Sequence, residues 1–149
     1  MKTEKKFDFK MNSLVFCIVG VLIPGFTAII LLGIQMLFTK LGIECSNAWK
    51  VIWIIGWIGS IILPLYFTKY IRFVTAEKLD SLKSKFIIFN LLEYIFIQIS
   101  GASLLTNGKT LCYVTDGQNG IELAFSGWLS LPIIFMMSFY FSKISKLDE

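Results

Sequence analysis

The chain has 149 residues, is 56% hydrophobic and only 16% charged, and carries a net charge of +4 with no histidine. An ordinary water-soluble domain is excluded, since its charged fraction is about a quarter. The missing imidazole removes the commonest general base and zinc ligand.

The Lys-rich start, Met1–Lys10, leads into the first and longest of four apolar runs, 13–38. That run exceeds the core of a cleavable signal peptide and has no small-residue cleavage pattern, so it reads as a retained helix. Pro24-Gly25 near its middle predicts a kink, whose freed carbonyl Thr27 is close enough in sequence to satisfy. The second run is 51–67, with Trp49, Trp53 and Trp57 toward one end and Tyr66 and Tyr70 toward the other, in the manner of aromatic belts. Segment 68–85 is partly amphipathic through Ile71, Val74, Leu79 and Leu82. It reads either as a helix on the inner membrane surface or as a short continuation of the second helix. The third run is 86–105 and the fourth 123–141. Between them the dipeptides Asn107-Gly108 and Asp116-Gly117 bracket an alternating stretch, 110–115, which predicts a short hairpin.

Each run is close to the ~20 residues that cross a bilayer. The predicted fold is therefore a single all-α integral membrane domain, 1–149, with four transmembrane helices in an antiparallel bundle. The basic residues orient it. Lys2, Lys5, Lys6 and Lys10, then Lys69, Arg72, Lys78, Lys83 and Lys85, then Lys143 and Lys146 fall in segments 1–12, 68–85 and 142–149. Only Lys40, Lys50 and Lys109 fall in 39–50 and 106–122, where Glu44, Asp116 and Glu122 balance them. The positive-inside rule makes both termini cytoplasmic and those two loops external. Anionic lipid accounts for the basic balance, and no nucleic-acid partner is expected.

Catalytic material is scarce. There is one arginine, Arg72, and no phosphate loop, nucleophile elbow or CxxC, so no enzyme, cofactor or metal is expected. Cys17 reads as a small core residue. Cys45 and Cys112 fall one in each external loop, where an oxidising compartment permits a disulfide and two separate thiols are the alternative. Glu93 stands inside the third run. A carboxylate there is costly and should face the bundle interior. Asn90 and Ser100 share its helix face and Gln98 points elsewhere, toward another helix. A hydrogen-bond clamp between helices, a proton-coupled site and a docking point for a membrane partner all fit. Gly56/Ser60 and Ser126/Ser130 are small-xxx-small pairs, suited to packing within the bundle or to homodimerisation.

Three stretches carry a resemblance: Gly20–Pro24 (Gly-Val-Leu-Ile-Pro), Leu104–Lys109 (Leu-Leu-Thr-Asn-Gly-Lys), and the aromatic, Ser-rich helix Gly127–Phe141. With the polar external hairpin, their order resembles the four-helix immunity proteins that protect bacteria against pore-forming colicins, the colicin A type above all. The tail and first external loop here are shorter. The resemblance implies a bacterial inner-membrane protein that meets a toxin's pore-forming domain as its hydrophobic hairpin inserts and holds it non-conducting. Asn90, Glu93, Gln98, Ser100, Lys109 and Asp116 are the candidate partner contacts. The alternative is a small proton-coupled multidrug exporter using Glu93. Asn90-Leu-Leu-Glu93-Tyr94 also resembles the Asn-x-x-Glu-Tyr element of glutathione- and eicosanoid-handling membrane enzymes, but the companion arginines are missing.

Overall fold

The structure, a computed structural model, describes residues 7–23, 26–74, 79–113 and 121–145. Among them the chain is all-helical: α1 (Phe9–Leu22), α2 (Phe26–Lys40), α3 (Cys45–Arg72), α4 (Leu79–Leu105), α5 (Gly108–Tyr113) and α6 (Ile121–Ile144). Helices α3, α4 and α6 are long and apolar enough to cross a membrane, and the bent pair α1–α2 makes up to a fourth.

The expectation of one helix over 13–38 is corrected. The run is two helices inclined by 74°. At about 1.5 Å per residue each is roughly 21–23 Å long, short of a ~30 Å hydrocarbon core, so neither crosses alone. Asp8 starts α1, its side chain accepting from the backbone N–H groups of Lys10 and Met11 at 2.9 and 3.1 Å. α1 stops before Pro24, whose ring disfavours helical geometry in the residue ahead of it. The Pro24-Gly25 pair itself lies outside the described residues. α2 ends in a turn through Gly42 (φ 90°), where Gly42 N–H donates to Thr39 O and Ile43 N–H to Phe38 O. Only glycine enters that left-handed region freely.

The other helices outrun their hydropathy. α3 begins at Cys45 instead of 51 and ends at Arg72 instead of 67, and α4 begins at Leu79 instead of 86. Segments 39–50 and 68–85 are thus largely helical rather than loop. Of the two readings of 68–85, the short continuation of the second helix agrees with α3 running on to Arg72, while Ile71 and Leu82 are buried in the bundle and not laid along a membrane surface. The hairpin expected at 110–115 is corrected over its described half. Gly108–Tyr113 is a helical turn and a half, capped by Asn107, whose Oδ1 accepts from Thr110 N–H at 3.0 Å. Asp116-Gly117 lies outside the described residues.

Two hydrophobic clusters, the first largely aromatic, mark the ends of the bundle. Phe9, Phe67, Ile71, Leu82, Phe86, Phe89 and Phe141 gather at one, with Phe67 stacked on Phe89 at 4.4 Å. Leu31, Trp49, Ile52, Ile99, Ala102 and Leu123 gather at the other. The α1–α2 pair, which enters the first cluster through Phe9 and the second through Leu31, reaches from end to end despite its bend. Trp49, expected in an outward aromatic belt, is buried instead, whereas Trp57 is exposed.

α4 is the central helix, buried on several sides through Phe86, Phe89, Asn90, Glu93, Tyr94, Gln98 and Ile99. Glycines bring α3 against it. A Cβ on Gly56 would lie 2.7 Å from Ile99 Cβ, and one on Gly59 2.6 Å from the Phe96 ring. Gly59, more than Ser60, therefore completes the small face of α3. On the opposite side Gly101 approaches Ser126 of α6. The outside is apolar: Leu22, Ile29, Ile61, Ile62, Leu65 and Met136 are all exposed.

Candidate functional site: a polar face inside the bundle

Polar side chains concentrate on α4 and the helices around it. Gln98, fully buried, donates through Nε2 to Leu123 O of α6 at 2.6 Å. It bonds a different helix from the Asn90 face. Asn90 donates through Nδ2 to Ser13 Oγ of α1 at 3.4 Å, a long contact. Ser100 turns back on its own helix, donating to Phe96 O at 2.8 Å, so it shares the face without bridging. The hydroxyls of Tyr94 and Thr27 interact, which ties α4 to α2. Thr27 thus serves α4, a role its closeness to Pro24 did not suggest.

Glu93 is 0% exposed, and neither carboxyl oxygen has a hydrogen-bond partner among the described residues. Asn90 Oδ1, one helical turn away, has none either. Of the three readings of this face, the hydrogen-bond clamp is made by Gln98 and Asn90, and among the described residues Glu93 takes no part in it. Along α4, Glu93 sits between Phe89, which packs on Phe141, and Gly101, which meets Ser126. A buried acceptor without a donor costs about 1–3 kcal/mol. Glu93→Leu should accordingly raise the stability of the isolated protein by about that amount. Thermal unfolding in detergent, followed by circular dichroism, measures it; a lower midpoint would mean that the carboxyl is satisfied in the membrane.

The second group of candidates caps the opposite end. Cys45, at the start of α3, and Cys112, in α5, form a disulfide with Cα atoms 6.1 Å apart. Gly108 seats α5 on the first turn of α3, where a Cβ would come 2.7 Å from Ser46 O. Gln35 of α2 donates to Cys45 Sγ at 3.2 Å. The Tyr113 hydroxyl donates to Glu44 Oε1 at 3.2 Å. That bond, ahead of partial desolvation and the Glu44 charge, raises the Tyr113 pKa above its ordinary value. A raised pKa means the bond is present below the ordinary tyrosine range and lost as pH climbs through the raised value. A difference absorbance titration against Tyr113→Phe should show the missing phenol ionising later than a free tyrosine. Lys109 is exposed on this cap. Asp116 lies outside the described residues.

No family model, curated protein or solved structure matches the chain. The geometry has to speak for itself. Among the described residues no three His, Cys, Asp or Glu side chains group to hold a metal ion. Among the described residues neither a basic group nor a nucleophile is bonded to Glu93. The site combines buried acceptors in an apolar interior with a disulfide-bonded cap at one end of the bundle. Ser13 and Gly59 were not singled out in the sequence. Ser13 heads an apolar run, and only its register against Asn90 reveals its role.

Proposed function

We propose that the chain is a multi-pass protein of a bacterial inner membrane that binds a pore-forming toxin domain within the bilayer and holds it non-conducting. The basic residues and the end-to-end reach of the α1–α2 pair support a reading of four traversals in an antiparallel bundle with both termini cytoplasmic. The exposed shell of Ile, Leu and Met supports a lipid environment, since a water-facing surface so continuous in apolar side chains would aggregate. Reporter fusions should read external at residues 41–44 and cytoplasmic at both ends.

The observation that carries the function is Glu93 with Asn90: a polar face kept inside an apolar bundle and left short of donors. Specificity between membrane helices comes from such groups and from small residues that admit close approach. The colicin A-type resemblance supplies the partner class. The test is protection. Sensitive cells expressing the chain, challenged with a panel of pore-forming toxins, should survive one of them. Death under every toxin, including any encoded beside this gene, would end the reading.

The donorless Glu93 also favours a second reading, proton-coupled export. Glu93→Gln separates the two: loss of substrate-driven proton movement in vesicles supports export, and retained toxin protection supports immunity.

A further inference from the structure

We propose that the groove between α1 and α6 holds one acyl chain of an anionic phospholipid, with the lipid phosphate beside Lys10 and Lys143 at the cytoplasmic end. The inference rests on the proposed membrane placement and not on the toxin.

Residue spacing builds the groove. Leu14, Cys17 and Val21 recur at three and four residues and share one face of α1, as Trp128, Pro132 and Phe135 share one face of α6. Contacts set the register: Phe9 meets Phe141, Lys10 meets Phe139, and Cys17 Sγ lies 3.5 Å from Leu131 O. Leu131 is the floor. It is 5% exposed, and a Cβ on Gly20 would come 2.7 Å from its Cδ2. Above that floor a cleft of about 590 Å³ remains, inside the roughly 300–1,000 Å³ of small-ligand sites. Its walls are aliphatic and aromatic, and the one thiol among them, Cys17, is spent on the Leu131 carbonyl. A hydrocarbon chain suits such a lining, and a polar ligand finds nothing to bond.

Depth and charge select the lipid. From Lys10 to Val21 on α1, and from Phe139 back to Trp128 on α6, the helices each cover about 16 Å. That is half of a ~30 Å hydrocarbon core, the depth of one leaflet. Lys10 stands one turn ahead of Leu14 on the groove face, its Nζ 4.8 Å from the Phe139 ring centroid. Lys143 stands one turn beyond Phe139, and both lysines are exposed. Asp8, the acid next to Lys10 in sequence, has its Oδ1 committed to the backbone N–H groups of Lys10 and Met11. Two cations at one end of an apolar groove one leaflet deep match a negatively charged head group and its tail. Basic pockets between helices on the cytoplasmic side take such head groups.

The experiment titrates the full chain in detergent micelles with phosphatidylglycerol or phosphatidylcholine brominated near the chain end. Binding is read as quenching of Trp128 fluorescence, taken as the difference from Trp128→Phe. Phosphatidylglycerol should bind more tightly by roughly 25-fold, about fivefold for each lysine. Lys10→Gln and Lys143→Gln should each lose about fivefold of that preference, and the double variant all of it, with little change in unfolding midpoint. Moving the bromine to the carbonyl end of the chain should weaken quenching, because Trp128 marks the deep end of the groove. Equal affinity for the two lipids would overturn the proposal, since the groove would then only be wetted by any chain. A preference that survives loss of both lysines, or stronger quenching by bromine at the carbonyl end, would overturn it too. Micelles impose no sidedness, so the outcome stands apart from the toxin challenge, and the reporter fusions decide which leaflet supplies the lipid.

Discussion

Replacing Cys45 and Cys112 by serine should lower the unfolding free energy by about 2–4 kcal/mol, the usual contribution of a disulfide closing a long loop. The two residues are 67 positions apart, so the bond closes a segment that contains all of α3 and α4. Opened, that loop adds conformational freedom to the unfolded chain and removes the tie between α5 and the first turn of α3. Denaturant titration in mixed micelles should show a lower midpoint for the double variant, and reductant should shift the parent protein but not the variant. Identical midpoints would mean that the close seat of Gly108 on Ser46 holds the cap without the bond.

Gly56→Val should be nearly as damaging, for a steric reason. The added Cβ meets Ile99, whose own Cβ lies 2.7 Å from the new atom. Ile99 is β-branched and in a helix, so its χ1 has essentially one rotamer and the side chain cannot swing clear. The helices must separate instead. Overpacking of this kind costs about 1–3 kcal/mol and here also loosens the α3–α4 seam that positions α4. Gly33→Val is the control. Nothing stands within 4 Å of a Cβ at Gly33, so that variant should keep the parental folded yield and unfolding midpoint. If Gly56→Val also kept them, the close approach of α3 and α4 would be mistaken.

Much of the fold was legible because hydropathy reports where a helix can be buried in lipid. The second, third and fourth runs all lie within observed helices, α3, α4 and α6. The ends were legible only in part. The last turn of α3 around Lys69 and Arg72 matches one of the two readings of 68–85. The first turn of α3 and the first turns of α4 around Lys83 and Lys85 are helical yet polar and were not foreseen. A helix needs only its own backbone hydrogen bonds, and these continue where the environment turns aqueous. The first run misled in the opposite sense. It is apolar without interruption, and Pro24-Gly25 announced a kink but not a 74° change of direction. Trp49 misled as well. Tryptophan near a helix end suggests an interfacial anchor, but the face it occupies is set by packing with Ile52 and Leu123, which a single sequence does not show.

The site was legible in part. A carboxylate in an apolar run and its helix-mates at three and seven residues can be read from spacing, as can the divergence of Gln98. That Gln98 and Asn90 find partners while Glu93 finds none depends on neighbouring helices, Leu123 on one side and Ser13 on the other. On the proposed reading, stability and recognition pull apart at Glu93. The apolar variant expected to stabilise the isolated bundle is the one expected to lose the partner.

The most direct measurement is conductance across a planar bilayer. A pore-forming domain from a toxin that the chain neutralises in cells is added to a bilayer with and without the purified protein. Channel current should fall toward baseline when the protein is present and return when Glu93→Leu replaces it. Undiminished current at an excess of the folded protein would contradict the account, because silencing inside the membrane is then not what the chain does.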